Sequence, residues 1–251
     1  MALYVYGLMR MEDGARVVAE LAVGSAELVE HGSVCALVSR VPESDLTLRR
    51  ESALTHTDTL QAAFAYGPVL PVRFGTVLPD AATLKRDFLA MQAPTLLARL
   101  EALEEMGEMQ LKATYLEEPL LRSILGASPR LAEAARRIRE LPAVATHFDR
   151  INLGEAIHKA VEARRQEDSR RLIDELRDLA VAVSIHEPRH ERGVLNAAFL
   201  VANDRVEAFD HEAERLCAEY AEAMDFKLIG PMPAHSFAAG SWDRGLAPET
   251  S

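Results

Sequence analysis

Residues 65–80 read AYGPVLPVRFGTVLPD, and this stretch limits the possible folds more than any other part of the chain. Val69, Leu70, Val72 and Phe74 favour a strand, yet Pro71 lies among them and has no N–H to give to a ladder. A strand here is expected at a sheet edge, or with the proline nitrogen turned away from its neighbour. Two-residue alternation over 69–75 then predicts Leu70, Val72 and Phe74 on a core face and Val69, Pro71 and Arg73 on an open one. Arg73 reads first as a solvated charge on that open face and second as a partner contact.

The flanking patterns supply the rest of the architecture. Strand-like runs cover Leu3–Leu8, Ser25–Glu30 and Ser33–Arg40, the last two joined as a hairpin at His31-Gly32. A helix with Ser52 as its cap carries Ala53, Leu60, Ala63 and Phe64 at helical spacing and stops at Gly67-Pro68. Beyond Pro79 come helical segments to about Glu105, a strand over Glu108–Tyr115, and helices over 119–144 interrupted at Ser128-Pro129. The apolar stripe Leu153, Ile157, Val161 resumes at Leu172, Leu176 and Leu179, and the EARRQEDSRR between them reads as a solvated helix face. A strand with Val181, Val183 and Ile185 on one face, a second over Val194–Val201, a helix over Val206–Met224 and a strand from Phe226 complete the order.

Over residues 108–238 this is strand, helix, strand, strand, helix, strand, the ferredoxin-like order with a long first crossover. The expected fold is therefore α+β in two domains. Residues 1–105 form an N-terminal α+β domain, a smaller mixed sheet with helices, and residues 106–239 a modified ferredoxin-like βαββαβ domain. Residues 240–251, GSWDRGLAPETS, read as a flexible tail.

Composition narrows the function classes. A net charge of −11 without a basic stripe argues against nucleic acid as a partner. No apolar run approaches the ~18 residues of a membrane span, and MALYVYGLMRMEDG has no export-signal pattern, so a cytoplasmic protein that does not engage a membrane is expected. Cys35 and Cys217 read as two reduced thiols. One stretch, His186-Glu187-Pro188-Arg189-His190, fits the zinc pattern H-E-x-x-H, which works only on a helix; Pro188 and the strand-like AVAVSI before it make HEPRHERG a loop instead. Glycine-rich phosphate loops, nucleophile elbows and paired-cysteine ligands are missing, so no catalytic residue, metal or cofactor is nominated. A second proline-bearing stretch, LIGPMPAHSF at 228–237, reads as a kinked edge strand or a shaped docking edge.

Several pieces taken in order resemble the gas vesicle protein L/F family (GvpL/GvpF). They are LYVYGL (3–8), His56 ahead of PVLPVRFGTV (68–77), GEMQLKATY (107–115), NAAFLVANDRVEAF (196–209) and KLIGPMPAHSF (227–237). Met109 stands where the family often has an aromatic residue, and Met232, Ala234 and His235 replace a run usually close to Trp-Pro-Pro-Tyr. The resemblance implies a non-enzymatic accessory protein of gas vesicle formation that contacts the small, apolar shell protein. It also implies protection of that protein from aggregation or retention as a minor vesicle component, with other accessory proteins as further partners. The candidate contact residues are Arg73, Gly230, Pro231, Met232, Pro233, His235 and Phe237. The competing readings are a ferredoxin-like enzyme or small-ligand-binding domain with a scattered site, and a purely structural vesicle component.

Overall fold

The structure is a computed structural model that describes residues 1–20, 26–42, 50–142, 146–188 and 190–238; the expected tail at 240–251 lies outside them. The fold is α+β, with two sheets and helices in two compact units. Unit 1 comprises residues 1–109, 200–203 and 230–251, and unit 2 comprises residues 110–199 and 204–229. The units interleave along the chain, so no single cut in the sequence separates them.

Unit 1 is built on β1 (Ala2–Arg10), whose first eight residues are all buried. The helix α1 (Met11–Glu20) follows, then the hairpin of β2 (Ala26–His31) and β3 (Val34–Val41), turned by Gly32 at φ 57°. β3 pairs antiparallel with β1, and the register slips between Val5 and Gly7, leaving Tyr6 as the extra residue of a bulge. α2 (Arg50–Phe64) starts two residues before Ser52, which therefore sits inside the first turn and is not its cap.

On β1's other side run β4 (Leu70–Pro71) and β5 (Val77–Leu78), both antiparallel to it. The sheet expected to be mixed is antiparallel in every described pairing, and with five strands it is larger than the four-stranded sheet of unit 2. Tyr4, Tyr6, Cys35 and Leu37 pack with Val17 of α1, Leu60 and Ala63 of α2, and Val69. A second buried set, Leu84, Phe88, Leu89, Leu96 and Leu100, belongs to the continuous helical run of α3 (Ala81–Thr83), a π turn (Leu84–Leu89) and α4 (Ala90–Ala102). That run packs on β1, β2 and β3, so the central strand is covered on both faces.

The second sheet has the order β7-β8-β6-β9, from β6 (Met106–Tyr115), β7 (Ala182–Ile185), β8 (Gly193–Ala202) and β9 (Met224–Met232). Between β6 and β7 come α5 (Glu117–Ala127), α6 (Pro129–Glu140) and α7 (His147–Arg177), and α8 (Val206–Tyr220) precedes β9. Ser128 accepts from the Leu131 N–H, which caps α6, and Pro129 occupies its first turn, so the expected interruption is a cap-and-restart. α7 runs unbroken through EARRQEDSRR, and its buried residues, Asp168, Leu172, Ile173 and Leu176, all lie in its last third. The ferredoxin-like reading of this unit rests on element order alone.

β6 shows clean alternation in unit 2: Leu111, Ala113 and Tyr115 are buried and the residues between them half-buried. Phe199 of β8 meets Phe209 of α8 with ring centroids 5.2 Å apart. Asp168 is 5% exposed and accepts from the Tyr115 hydroxyl at 2.7 Å and from Arg164 Nε at 2.9 Å. A buried carboxylate needs those donors. Tyr115→Phe is expected to remove one charge-assisted bond while Arg164 stays, lowering unfolding free energy by about 2 kcal/mol; urea denaturation would measure the loss.

Candidate functional site

The proline-bearing stretch lies beside β1, as Pro71 requires, but does not run as one strand. Gly7 and Leu8 face Pro71 and Leu70, whereas Leu3 and Tyr4 face Leu78 and Val77. From Tyr4 to Gly7 on β1 the outer chain travels twice as far, from Pro71 to Val77, and the surplus forms a loop at 72–76. The expected alternation therefore fails: Val69, Leu70, Pro71 and Val72 are all buried, Phe74 is only half-buried, and Arg73 is exposed at the loop. The reason is β1 itself, because a strand added to one covered on both faces is covered on both faces too.

The loop backbone is held on both sides of Arg73. The Val72 N–H donates to Tyr6 O at 2.9 Å, and the Val5 N–H to Thr76 O at 3.0 Å. Thr76 donates both its N–H, at 3.2 Å, and its hydroxyl, at 2.7 Å, to the Arg73 carbonyl. Gly75 adopts φ 86°, where a side chain would be strained, and its N–H donates to Tyr4 Oη at 3.2 Å. The Tyr4 hydroxyl lies 2.9 Å from His56 Nδ1, and His56 also bonds the Val72 backbone. With a ring N–H given to Val72, Nδ1 is the acceptor for the tyrosine proton. Among the described residues the Arg73 guanidinium has no hydrogen bond or ion pair. A pinned backbone thus presents an unpaired cation.

His56, from α2, is 5% exposed and ringed by Tyr4, Tyr6 and Phe74 at centroid distances of 5.7, 5.8 and 5.6 Å. Burial pushes its pKa down to about 4, the charge of His235 adds to that, and the bond to Val72 opposes it. His56 therefore supports the Arg73 loop and lies within electrostatic reach of His235 in the C-terminal candidate segment.

That segment is clamped. Glu108, 1% exposed, accepts from the Ser236 N–H at 2.6 Å and from its hydroxyl at 2.9 Å. Gln61 Nε2 donates to Pro231 O at 3.1 Å, and Arg99 Nη1 to Ala238 O at 3.0 Å. Gly230 has φ 148°, and a Cβ there would stand 2.6 Å from the Glu108 carbonyl oxygen, so only glycine fits. Gly230, Pro231 and His235 are exposed, Met232 and Phe237 half-buried, and Pro233 buried. His56 and Glu108 hold both candidate segments, yet sequence patterns give neither a structural role: His56 stands in a polar ESALTHTDT turn and Glu108 in a strand where a buried acid is unexpected.

His186, Glu187 and Pro188 have no helical backbone, so they lack the geometry that H-E-x-x-H needs. Cys35 is buried and Cys217 half-buried, both free, and burial pushes the Cys35 thiol up to about 12.

The family model described as gas vesicle synthesis protein GvpL/GvpF matches residues 2–239. The chain belongs to the GvpL/GvpF family. Gas vesicle protein F of a Streptomyces species is 30% identical over 243 residues, covering 94% of this chain and 99% of its own. Gas vesicle protein F of Haloferax mediterranei is 23% identical, covering 94% and 92%. The crystal structure of GvpF from Anabaena superposes with a TM-score of 0.78 at 19% identity, covering 96% of this chain and 99% of that one. GvpF from Microcystis aeruginosa gives 0.73 at 18%, covering 95% and 99%. The α+β fold is thus shared across relatives whose sequences have largely diverged.

Two outcomes follow from the loop and its support. Between about pH 6.5 and pH 4 the unfolded chain binds a proton at His56 that the folded chain refuses, so acidification across this window costs about 3 kcal/mol. Melting temperature should fall over that range, and less steeply in His56→Gln. Val72→Asp, placing a charge at a position 2% exposed, should unfold unit 1, as circular dichroism would show.

Proposed function

We propose that this chain is a non-enzymatic assembly factor of the gas vesicle, which contacts the apolar shell protein in the cytoplasm and keeps it from aggregating before it joins the growing vesicle. The family match over residues 2–239 and the naming of its relatives as gas vesicle proteins support the vesicle setting. One structural observation supports an apolar partner. β7 ends the four-stranded sheet, and the exposed side chains at and beside it are apolar, Val181 at 65% and Ile185 at 62%. An open ladder edge flanked by apolar side chains suits an apolar partner that adds a strand or lays a hydrophobic face there. A shell subunit must carry a broad apolar face, which is an aggregation hazard in water until it is covered.

The Arg73 loop is the second proposed contact, since its guanidinium is exposed and has no partner among the described residues while its backbone is held. In the C-terminal segment the exposed Gly230, Pro231 and His235, with Met232 and Phe237 beside them, are proposed contacts; buried Pro233 serves to seat them.

Co-expression with shell protein tests this reading. The wild-type chain should co-purify with shell protein and raise its soluble fraction. Val181→Lys/Ile185→Lys should lose both effects, and Arg73→Glu should weaken them, with melting temperatures close to wild type, as expected for exposed substitutions. Equal shell-protein solubility with and without the chain would reject the role. Unchanged recovery with Arg73→Glu would confine that loop to architecture.

A further inference from the structure

A groove of about 630 Å³ opens within unit 1, bordered on one side by Pro231 of the C-terminal segment, and its polar wall includes Arg10, Asp13, Arg16, Gln61 and Glu104. Asp13 is only 9% exposed, lines this groove, and receives no hydrogen bond from any described residue. The nearby cations are occupied. Arg10 makes a bidentate pair with Glu104, at 3.1 and 2.9 Å. Arg16 bonds the Tyr66 carbonyl at 3.5 Å and lies 5.6 Å from the centre of the Tyr66 ring.

A carboxylate so enclosed and without a protein donor is costly unless solvent or a ligand in the groove satisfies it. Gly67 packs directly on it: a Cβ there would stand 2.6 Å from the Asp13 carboxyl carbon and from one of its oxygens, so a side chain at residue 67 would displace the carboxylate from the groove wall. Burial, and then Glu12, hold the Asp13 carboxyl above its ordinary range, although Arg10 and Arg16 pull it down.

We propose that this groove binds a primary ammonium group on an alkyl stem, with Asp13 as its counter-ion. An anion is disfavoured, because Arg10 is already taken by Glu104, and Asp13, Glu104 and Glu105 would oppose it. Gln61 spends its amide nitrogen on Pro231 O, which leaves its amide oxygen as a second acceptor for the ammonium. Phe64, Pro68, Leu103 and Met106 line the same groove and give methylene carbons an apolar track. The same chemistry is offered by a lysine side chain of a partner protein and by a free alkyl diamine.

NMR titration of the full chain with 1,4-diaminobutane, acetyl-Gly-Lys-Gly-amide and the Nε-acetyl-lysine form of that peptide tests the site. Saturable shifts at the amides of Asp13 and Gly67 are expected from the diamine and the lysine peptide but not from the acetylated peptide. Asp13→Asn should weaken binding at least about tenfold while raising the melting temperature, because it removes an unpaired buried charge. Glu207→Gln, on α8 in unit 2, should bind as wild type. A lysine peptide that saturates at much lower concentration than the diamine identifies a protein partner; the reverse identifies a small amine. No saturable shift at these amides with either amine, or unchanged affinity in Asp13→Asn, overturns the proposal.

Discussion

Unit 1 depends on the burial of β1 from both sides. Once Leu3, Val5 and Leu8 as well as Tyr4, Tyr6 and Met9 are removed from water, every neighbour of the strand inherits that enclosure. The proline-bearing chain at 69–72 can pair with β1 only by burying both of its own faces. Its surplus length then has to leave the sheet, and it leaves at 72–76. Arg73 is exposed because the ladder is interrupted there, not because it sits on an open face of a regular strand.

The interruption is stabilised from the opposite direction, by α2. His56 accepts a hydrogen bond from the Tyr4 hydroxyl and donates one to the Val72 backbone, so one neutral imidazole joins helix, central strand and loop. The same ring feels His235, whose segment is clamped by Glu108 at Ser236. Two stretches far apart in the chain, each conspicuous for its prolines, thus each rest on a buried polar side chain of unit 1, His56 for one and Glu108 for the other. Polar groups inside unit 1 specify where its two proline-bearing segments sit, while the apolar core supplies most of the driving force.

Among the described buried acids, Asp13 differs from Glu108 and Asp168. Glu108 and Asp168 each receive hydrogen bonds, whereas Asp13 receives none from any described residue and has Gly67 packed against it. A protein held together by satisfied polar networks retains an unsatisfied one at a cost, and such costs accompany binding sites more often than packing. Unit 2 distributes its features differently, with its exposed apolar side chains Val181 and Ile185 at a sheet end and its buried acid fully engaged.

Local chemistry wrote much of this in the sequence: the hairpin at Gly32, the cap at Ser128 with Pro129 behind it, the alternation of Leu111, Ala113 and Tyr115, and the loop at Pro188. Each is set by residues within a few positions of one another, which is what turn chemistry, capping and periodicity report. The ordered pieces from LYVYGL to KLIGPMPAHSF also carried the family, since order over the whole chain is a linear property. Tertiary structure alone decided how many faces of β1 are covered, where the outer strand breaks, that His56 bonds across the unit to Tyr4 and Val72, and that Gly67 stands against Asp13. Most of those outcomes join residues about fifty or more positions apart, as Tyr4 and His56 are, and their energy comes from enclosure by distant elements, which no short window of sequence contains.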